Sequence, residues 1–95
     1  MWFFVKCEVP ANKVDQFTEM LANNRMKHVE GNESYVTPDG RMGYDFIECP
    51  NEKECRNRYA DLVSNGLRIL EVTPCVPMGQ FLQNWQQKHG RQKAA

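Results

Sequence analysis

Three charged residues stand inside apolar, strand-like stretches: Lys6 in "MWFFVKCEV", Asp45 in "RMGYDFIEC" and Glu71 in "LRILEVTPCV". A lysine and a carboxylate held apart are an acid and a base, and together they serve proton transfer next to a carbonyl. A partly closed cavity shifts the pKa values of such groups through burial and charge pairing. The chemistry to test first is therefore an isomerase- or cyclase-like step. The competing reading is a structural ion pair across an interface, which fixes register without catalysing anything. Lys6 separates the two. An enzyme needs it, with at least one carboxylate, in a closed pocket of roughly a few hundred Å³.

Trp2, Phe4, Tyr44, Ile47 and Ile69 are the candidate pocket residues around that group. Trp2 and Phe4 suit stacking on a planar ligand, and suit packing in an interface somewhat better. His28 falls in a polar connection and reads as a surface residue near a pocket mouth. Gly40 and Gly43 flank a hairpin and form no phosphate loop. Cys7, Cys49, Cys55 and Cys75 contain no CxxC pair. They read as buried free thiols in a reducing compartment, not as disulfides or metal ligands. No metal or cofactor is expected.

The elements that would position these residues follow from periodicity and punctuation. A first strand over residues 1–9 is closed by Pro10. "ANKVDQFTEMLANN" reads as a helix with Val14, Phe17, Met20 and Leu21 on one face, and Asn12 as its cap. "SYV" and "RMGYDFIEC" flank the turn "TPDG", so residues 34–49 form a hairpin. "NEKECRNRYADLVSNG" is the clearest helix. Asn51 caps it, Glu54 sits at the third helical position, Cys55, Tyr59, Leu62 and Val63 form the stripe, and Gly66 stops it. "LRILEVTPCV" is a last strand, with Pro74 marking an edge or a bulge. "GQFLQNWQQKH" is a short helix with Phe81, Leu82 and Trp85 on one side, read as anchors on its own or a partner subunit.

The order β-α-β-β-α-β plus a helix is the split βαβ, ferredoxin-like arrangement: an α+β fold with a four-stranded antiparallel sheet and two helices on one face. One domain is expected over residues 1–89, with residues 90–95 a flexible tail. At 95 residues a core is possible but marginal, and burial in an oligomer helps. Twelve basic and twelve acidic residues balance, and the only basic run is the tail "KHGRQK". Nucleic acid is therefore not expected as a partner. "MWFFV" is too short for a secretory signal and no stretch approaches a membrane span, so a cytoplasmic protein is expected, with no membrane partner.

Alternation divides the first strand into two faces. Met1, Phe3, Val5, Cys7 and Val9 suit the helices, and Trp2, Phe4, Lys6 and Glu8 point away. In the last strand Leu70, Val72 and Val76 form the apolar set, and Ile69, Glu71 and Thr73 the mixed one. The "RMGYDFIEC" strand is ambiguous. Tyr44 and Phe46 on the helices is the favoured choice, because Asp45 does not sit there cheaply. The second face then carries Trp2, Phe4, Ile47 and Ile69 around Lys6, Asp45 and Glu71. Its simplest cover is a two-fold dimer with sheets face to face.

The opening "MWFFVK" is similar to the first strand of muconolactone isomerase, and "LEVTPCVPM" resembles the last strand of small members of the dimeric α/β-barrel superfamily. Element order and lengths over residues 1–89 resemble that superfamily too. The resemblance implies a homodimer or higher oligomer, a sheet-lined cavity, and cofactor-independent chemistry on a small organic molecule, as in its isomerases and monooxygenases. Its haem-degrading members use a helix histidine, whereas His28 and His89 here lie outside the second helix. Muconolactone isomerase carries a histidine where this chain has Phe4. The alternatives are a ligand-binding module without turnover and a pure assembly module.

Overall fold

The computed structural model describes the backbone of residues 1–94 and the side chains through residue 90. The expected tail at 90–95 therefore lies in part outside the described residues. Four strands, β1 (Trp2–Glu8), β2 (Asn32–Val36), β3 (Met42–Glu48) and β4 (Arg68–Cys75), form one antiparallel sheet in the order β2-β3-β1-β4. The first strand lies between β3 and β4, and Pro74 falls on an edge strand, the position in a sheet that tolerates proline.

The helices are α1 (Val14–Ala22), preceded by a 3-10 turn at Ala11–Lys13, then α2 (Glu52–Arg58), α3 (Ala60–Ser64) and α4 (Met78–Ala94). Asn12 does not cap α1; the cap position is Lys13 and carries no side-chain bond. The chain leaves α1 through Asn24, at φ 55°, with Asn24 N–H donating to Leu21 O and Arg25 N–H to Met20 O. Asn51 does cap α2, its Oδ1 accepting from Glu54 N–H at 2.9 Å. The expected single helix over 51–66 breaks in two at Tyr59, where φ −96° and ψ 1° interrupt the ladder. Gly66 ends α3 at φ 117°, and Leu67 N–H returns to Leu62 O at 3.0 Å. Both helix ends close as Schellman motifs, with residues that tolerate positive φ at the position that needs it.

The core lies between the sheet and α1–α3: Phe3, Val5, Cys7, Val9, Phe17, Ile47, Cys49, Cys55, Tyr59, Leu62 and Leu67 are all buried, with Met26 from the connection. The faces of β1 follow the alternation. Those of β3 do not. Asp45 and Ile47 are buried under the helices, and Phe46 is exposed on the other side. The register requires this, since Val5 pairs with Asp45 and Phe3 with Ile47, and paired residues share a face. In β4 a bulge opposite Lys6 and Cys7 adds one residue and shifts the alternation. Ile69 and Val72 therefore pack on the core, while Leu70 and Val76 are exposed. Val63, expected in the helix stripe, is exposed as well.

The last helix does not join this layer. None of its described residues is buried, and none belongs to the core. The molecule is 61 Å long and 25 × 20 Å across. Its radius of gyration is 17.3 Å, against about 12 Å for a compact chain of this length. Among the described residues, no helix is long and apolar enough to cross a membrane.

Candidate functional site

A cleft of about 780 Å³ opens between α1 and the β2–β3 hairpin, on the helix side of the sheet. Its existence follows from the residues of β2. Asn32, Ser34 and Val36 face the helix layer opposite Ile47, Asp45 and Gly43, and none of the three is buried. The helices cover β1 and β3 but stop short of this outer strand. Val9, Val14, Phe17, Leu21, Val29 and Leu62 supply apolar wall, and Asp15, His28, Asp39 and Arg41 are polar members of the same lining.

Asp45 lies at the floor and is the one buried charged residue among those described, 5% exposed. Three donors make that burial tolerable. Tyr59 Oη donates to Asp45 Oδ2 at 2.7 Å, Ser34 Oγ to Oδ1 at 2.6 Å, and Asn32 Nδ2 to Oδ2 at 3.3 Å. A carboxylate has about four acceptor sites. Oδ2 carries two donors here and Oδ1 one among the described residues.

The neighbours of this carboxylate are neutral. Burial, then the bond to Asp45 and its charge, push the Tyr59 phenol above its ordinary range. Burial and the Asp45 charge push the Cys7 thiol up to about 12. A protonated Cys7, whose Sγ–H points to Gly43 O at 3.7 Å, is no nucleophile near neutral pH. His28 does reach the cleft from its connection and is exposed; its Nε2–H donates to Leu21 O at 2.9 Å. That bond leaves Nδ1 as the acceptor of the neutral ring.

The residues expected to act together are divided by the sheet. Lys6 and Glu71 are register partners on the face away from the helices, with Asp45 behind them. Among the described residues Lys6 and Glu71 do not pair with each other; Glu71 accepts instead from Thr73 Oγ1 at 2.6 Å. Trp2, Phe4 and Tyr44 are on that open face as candidate pocket residues. Ile47 and Ile69 are not, because register and bulge turn them into the core. Two further aromatic residues complete the open face, Phe46 and Tyr35. The Phe4 ring lies 5.4 Å from Phe46 and 6.5 Å from Tyr44, centroid to centroid.

The sequence held a signal for β3. Alternation carried to the end of the strand sets Glu48 with Tyr44 and Phe46, and sets Cys49 with Ile47 and Asp45. Choosing the aromatic set for the core buries Glu48 as well, and an unpaired buried charge outweighs one that three neighbours satisfy. Among the described residues no three His, Cys, Asp or Glu side chains are grouped to hold a metal ion. Comparison with family models, curated proteins and solved structures finds no match to this chain.

Proposed function

We propose that this protein is a homodimer of ferredoxin-like protomers that binds a small organic molecule in the cleft between α1 and the β2–β3 hairpin. The observation that carries the reading is the buried Asp45 carboxylate, held by Tyr59, Ser34 and Asn32 at the floor of a cleft with apolar walls and a rim that also carries Asp15, His28, Asp39 and Arg41. A volume of about 780 Å³ falls in the range of small-molecule sites, and one oriented polar cluster on apolar walls is how such sites gain specificity. The strand order β2-β3-β1-β4 supports the ferredoxin-like reading, and the exposed aromatic face of the sheet supports self-association.

The ligand chemistry follows from the acceptor. Asp45 Oδ1 takes a hydroxyl, amine or enol proton, and the walls take a planar or aliphatic body. With Lys6 on the other face of the sheet, the lysine–carboxylate pair that an isomerase or cyclase needs is not assembled in the cleft, so the reading is ligand binding without turnover, with Tyr59 holding Asp45 in place. Lys6 and Glu71 are assigned to the interface.

Native mass spectrometry of the purified protein, followed by extraction and identification of co-purified small molecules, tests this. A bound compound lost in Asp45→Asn but retained in Lys6→Met supports it. Retention in Asp45→Asn with loss in Lys6→Met places the ligand on the open face and overturns it. The second reading, an assembly module without a ligand, is favoured by the same open face, and an empty cleft in this experiment selects it.

A further inference from the structure

The open sheet face and the last helix are two apolar surfaces of complementary form on one chain. Along α4, Met78, Phe81, Leu82 and Trp85 recur at i, i+3, i+4 and i+7, which puts them on one side. They are 70%, 54%, 50% and 42% exposed, and Trp85 extends the stripe by stacking on His89, ring centroids 4.6 Å apart. The sheet offers Trp2, Phe4, Tyr35, Tyr44 and Phe46 on its uncovered side. A helix of 17 residues is about 26 Å long and a four-stranded sheet about 15 Å across, so one spans the other.

We infer that α4 of each chain docks across the open sheet face of a second copy, closing an isologous dimer by exchange of the two helices. This rests on the homodimer reading above and names the element that makes the contact.

The chain does not cover its own face. Val76 and Pro77 are the whole link between β4 and α4. Pro77 fixes its own φ and disfavours a helical Val76, so a two-residue link with extended preference leaves little chain for α4 to reverse over the sheet. The 61 Å length records that α4 does not reverse.

Charge selects a second copy over other occupants. The sequence of α4 contains Lys88, Arg91 and Lys93 and no acidic residue. The open face carries Glu33, Glu48 and Glu71 against Lys6, while Glu8 is held by Arg68 Nη1 at 3.5 Å. An acidic, aromatic face suits a basic, apolar helix. It repels the phosphates of a nucleic acid, although its aromatic rings would stack on bases. A stable interface buries roughly 1,200–2,000 Å², and exchange of two helices doubles the area that one such contact contributes toward it.

The test is sedimentation of the full chain at micromolar concentration, joined to photo-crosslinking. A benzophenone-bearing phenylalanine analogue is placed at position 81, in mixed light and heavy chains. The expected result is a dimer whose interchain crosslinks join α4 to peptides of β1, β2 or β3. Phe81→Glu with Leu82→Glu, and separately Phe46→Glu, should each raise the dimer dissociation constant roughly 30-fold or more. All three residues are exposed in the single chain, so an unchanged circular dichroism spectrum certifies folding. A dimer crosslinked helix to helix or sheet to sheet, or one untouched by the helix variants, overturns the docking of α4 but leaves the homodimer. A monomeric wild-type chain, an intrachain crosslink, or a single-stranded oligonucleotide displacing α4 overturns the inference outright. Ligand capture by the cleft is a separate readout on the opposite face.

Discussion

Tyr59 donates its hydroxyl proton to Asp45 across 2.7 Å, from the break between two helices to the buried centre of the sheet. The bond joins the helix layer to β3 and keeps a carboxylate where apolar side chains surround it. Removing the donor leaves Asp45 with Ser34 and Asn32 alone, both on the outer strand. Tyr59→Phe should therefore lower stability by about 1–3 kcal/mol in urea unfolding. The cycle with Asp45→Asn should give a coupling of about 1 kcal/mol or more. Strict additivity of the two substitutions would show that the bond has no energetic role.

Gly40 is the pivot of the β2–β3 hairpin that forms one wall of the cleft. Its φ is +77°, and its N–H donates to Thr37 O at 2.8 Å. A Cβ here would stand 2.9 Å from Cγ1 of Val14, so the hairpin and α1 touch only because the side chain is absent. Gly40→Ala carries both the left-handed backbone cost and that clash. A loss of about 1–2 kcal/mol is expected in chemical denaturation. Gly90→Ala, in a helical position with nothing within 4 Å, should cause no loss.

Burial raises the thiols of Cys7 and Cys55 from 9.0 to about 12, and raises the Tyr59 phenol above 10.0. Each group holds its proton more tightly folded than unfolded. Their contribution is complete below about pH 9, where both states are protonated, and is lost as pH climbs from there toward 12. The urea midpoint should be level from pH 7 to 8.5 and fall above pH 9. Tyr59→Phe should flatten the part of that fall above pH 10. A midpoint that rises with alkaline pH would contradict this sign.

Cys7, Cys49 and Cys55 are buried, and Cys75, at the end of β4 beside Trp2, is half-buried. Only the thiolate reacts with alkylating reagents, and two of the buried thiols are pushed to about 12. Iodoacetamide at pH 8 should label Cys75 alone in the native protein and all four cysteines in urea, read by peptide mass spectrometry. Native labelling of Cys7 would mean that the cleft floor is wetter than its packing implies.

Much of the scaffold was legible because it rests on local rules. Asn51, Gly66 and the "TPDG" turn mark their boundaries by side chain and backbone preference alone. The alternation of β1 was unambiguous because both of its faces have plain identities. The site was harder because it depends on pairing. Asp45 belongs under the helices only once Tyr59, Ser34 and Asn32 are known to converge on it, and those donors come from a helix break and an outer strand. The partnership expected for Lys6, Asp45 and Glu71 assumed that all three shared a face, and register places Asp45 on the other. The cleft itself reflects how far the helices reach across the sheet, which no single residue encodes.

The β4 bulge has the most direct test. Plain alternation sets Leu70 with Val72 under the helices, while the extra residue opposite Lys6 and Cys7 gives that place to Ile69 and turns Leu70, 47% exposed, to solvent. The two side chains are isomers, so composition and size cancel and only placement differs. Ile69→Ala removes half-buried methylenes packed on the core and should cost about 1–2 kcal/mol, below the range of a fully buried site. Leu70→Ala removes little buried surface and should stay within about 0.5 kcal/mol. Equilibrium urea unfolding of the two variants under one condition decides the register: a larger loss at Leu70 than at Ile69 would place the bulge elsewhere in β4 and return Ile69 to the open face.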